Sequence, residues 1–289
     1  MPARDETRLG AALVVPLIVL EFSVCLFPLL YSLWLSLHQG ALFGGSSSFA
    51  GLNNYIAIRA DSLIIPAVIV SLRFVAETTI LVFCLSLGMA LILNEKARGQ
   101  SLLKVIVILP WSMSEFAVAL SGRFFLDSNY GFLNSVLLKI HLSDYGILFL
   151  NAQNGVEWAS LFYAWNFAPI GAFFVLSSLQ TVPEQLYRAA RIDGASSFGR
   201  FRTVTFPFVK YSVLITLVLA TIQSAGAVTI FYALTGGGPG FSTTSISLYA
   251  FKVFLEQGDY GYGAAISWLT LAFIAIATSA YFYLIMRKR

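Results

Sequence analysis

Residues able to do more than pack are sparse in this sequence, and they fall into two groups. The first is the stretch Thr181–Pro207, a polar and basic segment between two apolar runs. Glu184, Arg188, Arg191 and Asp193 alternate there with Leu186, Tyr187, Ala189, Ala190 and Ala195 around Gly194. No nucleophile is paired with a base, so the chemistry on offer is recognition. A helix bearing Leu186, Tyr187 and the two alanines can enter a partner's groove, and Arg188, Arg191 and Asp193 can meet its charged rim. The bland alternative is a solvated connector. The second group consists of polar side chains inside oily runs: Arg73 and Glu77, and then Ser112, Glu115, Asn166, Thr216, Gln223 and Tyr232. Such groups either line a wet path for a solute or hydrogen-bond one helix to another, because hydrocarbon leaves them without partners.

Several chemistries are missing. No phosphate-binding Gly-Lys-Ser/Thr loop, zinc-ligand spacing or nucleophile elbow occurs, and His38 and His141 offer little for acid–base work. The expectation is therefore no catalytic residue, no metal site, no cofactor bound by this chain and no nucleic-acid partner. The net charge of +4 is accounted for by a positive-inside bias.

These residues are positioned by membrane helices. The chain has 289 residues, 58% hydrophobic and only 11% charged, with a mean hydropathy of +0.79. Runs long enough to span a bilayer lie at about 9–37, 62–93, 102–126, 157–180, 208–233 and 262–286. The first is longer than a secretory signal core, so it is expected to stay in the mature chain. Cys25 and Cys84 sit within spans and suggest no disulfide framework. Of the 18 Lys and Arg, Arg59, Lys139 and Lys252 alone fall on the side opposite Arg4, Arg8, Arg188, Arg191 and Arg287–Arg289, with Arg73 and Arg123 inside spans. That asymmetry puts both termini and the 181–207 loop in the cytoplasm.

Within the loop, Thr181 and Glu184 have capping-box spacing, so a helix should begin near Val182. Asp193-Gly194 should end it, since glycine readily takes the left-handed conformation that closes a helix. Pro207 marks the start of the next run. Arg73 and Glu77 share a helix face as a neutralising pair or as part of the transport path. Pro110 should break the third run, with Glu115 either lining a cavity or bonding a neighbouring helix. Ser212, Thr216 and Gln223 form a polar stripe toward another helix or a wet path. The Thr235–Gly240 run should build turns needing positive φ.

The order Pro-Glu-Gln-Leu-Tyr-Arg-Ala-Ala-Arg-Ile-Asp-Gly-Ala from Pro183, with Phe201 and Thr205-Phe206-Pro207 behind it, resembles the EAA loop of permease subunits in ATP-driven (ABC) importers of the carbohydrate and glycerol-phosphate type. Leu52–Tyr55, Leu109–Trp111, Tyr130–Asn134, Thr235–Pro239 and Asp259–Ala265 are similar to further phrases of that family, in its order. Arg188 stands where the family usually has the glutamate of the Glu-Ala-Ala triplet, which leaves Glu184 and Asp193 as acidic groups for a bridge. The resemblance implies an all-α membrane protein of six transmembrane helices, a single permease domain over 1–289, with a cytoplasmic coupling helix between helices four and five. It also implies a second homologous permease subunit, two ABC ATPase subunits using ATP and Mg, an extracytoplasmic solute-binding protein, and a sugar or polyol as cargo. Two other classes stay open. An ion-coupled secondary transporter would recruit Glu21, Arg73, Glu77 and Glu115, and a structural scaffold would respond to no solute.

Overall fold

The computed structural model describes residues 12, 14–39, 48–95 and 98–286. Arg4, Arg8, Lys96, Arg287–Arg289 and most of the Gly/Ser-rich 44–48 loop lie outside them. In chain order the helices are α1 (Val14–Ser36), α2 (Asn53–Ala60), α3 (Ile64–Asn94), α4 (Gln100–Ser112), α5 (Glu115–Phe125), α6 (Phe132–Lys139), α7 (Gly155–Leu179), α8 (Glu184–Ile192), α9 (Ser197–Ala225), α10 (Thr229–Leu234), α11 (Ile246–Phe251) and α12 (Tyr260–Met286). A short antiparallel ladder pairs β1 (His38–Gln39) with β2 (Ser48–Phe49).

Helices α1, α3, α7 and α9 are each long and apolar enough to cross a membrane. On α3, Ile65, Ile69 and Ile80 are exposed while Ala67, Phe74, Val82 and Ala90 are buried. An apolar outer face on a helix of this length is the surface a bilayer covers.

The third expected run is broken just beyond Pro110, as that proline indicates: α4 and α5 qualify as a span only together and are bent by 92°. Pro110 lies inside the last turn of α4, and Ser114 then caps α5 by accepting the Ala117 N–H at 3.2 Å. A proline followed by a competent N-cap ends one helix and starts another within two residues. The fifth was expected at 208–233, with a boundary at Pro207. Instead α9 runs through Pro207, since Phe206 is helical (φ −60°, ψ −40°) and a π turn at Phe201–Thr205 absorbs the missing donor. It stops at Gly226, and 229–234 form the separate α10.

The chain groups into two compact units. One takes in residues through Asp61 together with Tyr249–Leu269. Its centre is Asn54, 2% exposed, whose amide donates to the carbonyls of Ser36 (2.8 Å) and His38 (2.9 Å) where α1 ends. Asp61 accepts from the hydroxyls of Tyr249 (2.6 Å) and Tyr262 (2.7 Å), and a Cβ at Gly261 would stand 2.0 Å from His38 O. The Leu52–Tyr55 and Asp259–Ala265 phrases thus lock one another.

The other unit takes in Ser62–Leu248 and the remainder of α12. Its core is the packing of α3, α7 and α9 through Ala90, Leu93, Ala172, Val175, Leu176, Val209 and Val213. Close approach depends on Gly171, where a Cβ would lie 2.4 Å from Thr216 Cγ2 and 2.5 Å from Ser86 Oγ. Small residues at a crossing let backbones meet and hydroxyls bond across. Ser86 Oγ accordingly donates to Ala168 O at 2.8 Å.

Candidate docking helix and polar path

Helix α8 is built to end sharply. Its C-cap is Asp193, and Gly194 follows at φ +77°. The Gly194 N–H bonds Arg191 O (3.1 Å) and the Ala195 N–H bonds Ala190 O (2.9 Å). Those are the paired bonds of a Schellman motif, which satisfies the last free carbonyls and needs the left-handed glycine. Ser196 caps the following turn by accepting the Gly199 N–H at 3.1 Å, and Arg200 ties back to Ala195 O at 2.8 Å. Tyr187 and Thr205 join their hydroxyls at 3.0 Å, holding α8 against the start of α9.

The N-terminus of α8 differs from expectation. Pro183 occupies the N-cap position with no side-chain cap, and Thr181 Oγ1 donates instead to Ser178 O (2.8 Å) at the end of α7. The connection is too short for Thr181 to serve both helices, and the free carbonyl of α7 takes it. Arg188 pairs with Glu184 at 3.4 Å along one face, both exposed. No residue of α8 is buried: Glu184, Leu186, Arg188, Ala189, Arg191, Asp193 and Gly194 are exposed, while Tyr187, Ala190 and Ala195 are half-buried. Two apolar side chains beside the turn were missed from sequence, Ile192 at 85% exposure and Phe198 at 73%. Their apolar character in a polar segment was the available signal.

The polar residues inside the apolar runs divide by partner. Asn166, on α7, donates through its amide to the carbonyls of Pro110 and Met113, groups released by the break between α4 and α5. Glu115 Oε1 accepts the Ile230 N–H at 2.7 Å, tying α5 to the first turn of α10. Thr216 is buried and returns its hydroxyl to Ser212 O, while the Ser212 hydroxyl meets that of Ser178 on α7. Ser112, Gln223 and Tyr232 are exposed, and Ser112 Oγ donates to Leu109 O at 2.7 Å. Glu115, Asn166, Ser212 and Thr216 therefore bond between or along helices, and the bonds described for Glu115, Asn166 and Thr216 all go to backbone groups outside the six candidates.

Arg73 and Glu77 pair at 2.8 Å, as their spacing indicates. Sequence gave no hint of the third member, Glu157 on α7, which also meets Arg73, nor of the Ser160 hydroxyl that donates to Glu77 Oε2 at 3.0 Å. Among the described residues, no group of three or more His, Cys, Asp or Glu side chains is arranged to hold a metal ion.

Long apolar helices whose polar side chains satisfy one another, with an exposed, rigidly terminated helix outside the spans, define a multi-pass membrane protein. Residues 82–289 match the family described as binding-protein-dependent transport system inner membrane component. The chain belongs to that family, and it is a transport permease component of the inner membrane. It is 34% identical over 286 residues to the trehalose/maltose transport system permease protein MalF of Thermococcus litoralis, covering 96% of this chain and 93% of that one. It is 29% identical to the sulfoquinovosyl glycerol transport system permease protein SmoG of Agrobacterium fabrum, covering 98% and 92%. It is 28% identical to the trehalose transport system permease protein SugA of Mycobacterium tuberculosis, covering 94% and 86%. In fold it is similar to a chain of a bacterial alginate ABC transporter solved with an alginate pentasaccharide-bound periplasmic protein, at a TM-score of 0.84, 19% identity and 98% and 96% coverage.

Proposed function

We propose that this chain is one permease subunit of a binding-protein-dependent ABC importer for a carbohydrate or related polyol. It works as a single permease domain of six membrane helices over 1–289, with both termini in the cytoplasm. The reading is supported by the relatives, whose names specify trehalose, maltose and sulfoquinovosyl glycerol. A second homologous permease completes the path as a heterodimer, an extracytoplasmic binding protein delivers the solute, and two ABC ATPase subunits supply energy from ATP and Mg.

The observation that carries the coupling role is the rigid end of α8. Its Schellman turn is complete, yet Leu186, Ile192 and Phe198 stand uncovered. A pre-formed helix enters a groove without an ordering cost, and exposed apolar side chains supply the contact. In this scheme ATP-driven closure of the ATPase pair moves α8. Tyr187 and the continuous backbone through Gly194 pass that movement to α9, and the helices swing between inward-open and outward-open states. Ser112, Glu115, Asn166, Thr216, Gln223 and Tyr232 border the path, and their hydroxyl, amide and phenol groups suit a neutral, hydroxyl-rich solute. Of the carboxylates that the ion-coupled alternative would recruit, Glu77 is already engaged by Arg73 and Ser160, and Glu115 by a backbone N–H.

The test is reconstitution with the sister permease, ATPase subunits and binding protein, followed by accumulation of labelled disaccharides. Uptake should require ATP and should be lost on Gly194→Val. Uptake that survives ATP depletion but collapses with the ion gradient would sink the importer reading.

A further inference from the structure

Between α5 and α7 the chain builds a small ordered lobe around α6. Asn134, on α6 and 1% exposed, donates its amide to Asp127 O (2.9 Å) and Ile147 O (3.0 Å) and accepts the Ile147 N–H (2.8 Å). The segments before and after α6 are thus pinned to one buried side chain. The helix ends in a Schellman motif, with the His141 N–H on Leu138 O (3.2 Å) and the Leu142 N–H on Leu137 O (3.0 Å). His141 itself takes the left-handed conformation, at φ +56°, which few non-glycine residues adopt. A further turn follows, in which Ser143 Oγ donates to Tyr145 O at 2.6 Å.

This frame holds apolar side chains outward. Leu142 is 72% exposed, although the residue in its place ordinarily packs back on the helix. Tyr130, Phe132, Ile140 and Tyr145 are exposed with it, and the cations Lys139, at the end of α6, and Arg123, in the last turn of α5, are exposed too. The patch continues a membrane-facing stripe. With α4, helix α5 qualifies as a membrane crossing, and Phe116, Leu120 and Phe124 lie exposed along it at four-residue spacing. Phe124 meets the ring of Tyr130, centroids 6.3 Å apart, and Phe125 that of Phe132, at 5.6 Å. An apolar surface therefore runs unbroken from α5 onto the lobe.

We propose that this lobe lies on the phospholipid interface, with its apolar side chains at the acyl boundary and Arg123 and Lys139 at the lipid phosphates. The importer reading above supplies only the leaflet, the outer one. Two features select lipid over a protein partner. The ring contacts join the patch to the stripe of α5, so whatever covers the patch must also follow it into hydrocarbon. Phenol tips and long cationic stems around an apolar centre suit a boundary that is oily on one side and anionic and wet on the other. Seated in this way, the lobe fixes the end of α5 at the membrane surface.

The experiment places p-benzoylphenylalanine at Leu142, and separately at Tyr145, in the assembled importer in native membranes. Irradiation should join most of the crosslinked chain to single phospholipids. Crosslinks chiefly to the binding protein, to the second permease or to another copy of this chain overturn the proposal, as does an absence of lipid adducts. In bilayers rich in phosphatidylglycerol, Arg123→Gln with Lys139→Gln should lower the lipid adducts at Leu142 by at least about fivefold, since each basic group near an anionic surface adds to its attraction. Unchanged adducts there overturn the proposal as well. A membrane-impermeant amine reagent that modifies Lys139 only from the cytoplasmic side would fault the topology of the importer reading and leave the lipid seat standing.

Discussion

Glu115 Oε1 accepts the backbone N–H of Ile230 at 2.7 Å, so a carboxylate at the first position of α5 caps the first turn of a helix more than a hundred residues away. The same carboxylate lies at the N-terminus of its own helix, where the free N–H groups of two helices both favour negative charge. Ile230 is fully buried, so its N–H has no water to fall back on. Glu115→Gln keeps an acceptor oxygen and should cost under about 1 kcal/mol. Glu115→Leu strands the donor and should cost about 1–3 kcal/mol. Thermal unfolding in detergent separates the two, and equal losses would refute the cap.

At Gly194 the space is open, since a Cβ there would meet nothing within 4 Å, but φ is +77°. Substitution is penalised through the backbone alone, by about 1–2 kcal/mol for an ordinary L-residue in that conformation. Asparagine tolerates it better, and a β-branched residue worst. Copurification of the ATPase subunits and their stimulated ATP hydrolysis should therefore fall in the order Gly, Asn, Ala, Val, with little change in global melting. A steep loss already at Asn would mean that the ATPase touches the glycine itself.

Arg73 bridges Glu77 on its own helix and Glu157 on α7, with all three side chains between about a quarter and a half exposed. Solvent screening limits each pair to about 1 kcal/mol or less. Arg73→Gln leaves two carboxylates facing each other, so it should be worse than Glu157→Gln, and the double variant should recover part of the loss. Strict additivity in a double-mutant cycle would show that the three do not act as a network.

Just beyond α5, Asp127 forms a turn in which its carboxylate accepts the N–H groups of Asn129 (2.8 Å) and Tyr130 (3.2 Å). The Asn129 bond, with the others, holds its carboxyl below the ordinary value of 3.8. A depressed folded-state value stabilises the turn above that ordinary value, and the stabilisation disappears as pH falls through the folded-state value. Hydrogen exchange at Asn129 and Tyr130 should stay slow at neutral pH and quicken only in strong acid. Asp127→Asn, which keeps an acceptor, should abolish the pH dependence while leaving the turn formed. A midpoint at or above the ordinary value would contradict the assignment.

Composition and the run lengths determined that the chain crosses a membrane, and α3 and α7 began and ended within two residues of where their apolar runs do. The Asp193-Gly194 helix end was legible too, because a left-handed closure is a local backbone preference with one favoured residue. Tertiary structure decided what local signals cannot encode. Pro207 was passed because a π turn and a following helix made its missing donor harmless, whereas Pro110 ended α4 because Ser114 capped a new helix and Asn166 took the freed carbonyls. The partners of Glu115 and Asn166, and the Glu157 that also meets Arg73, come from elements far along the chain, and spacing carries no information about them. Polar groups in hydrocarbon must be satisfied by something, which the sequence dictates; the fold alone chooses the donor.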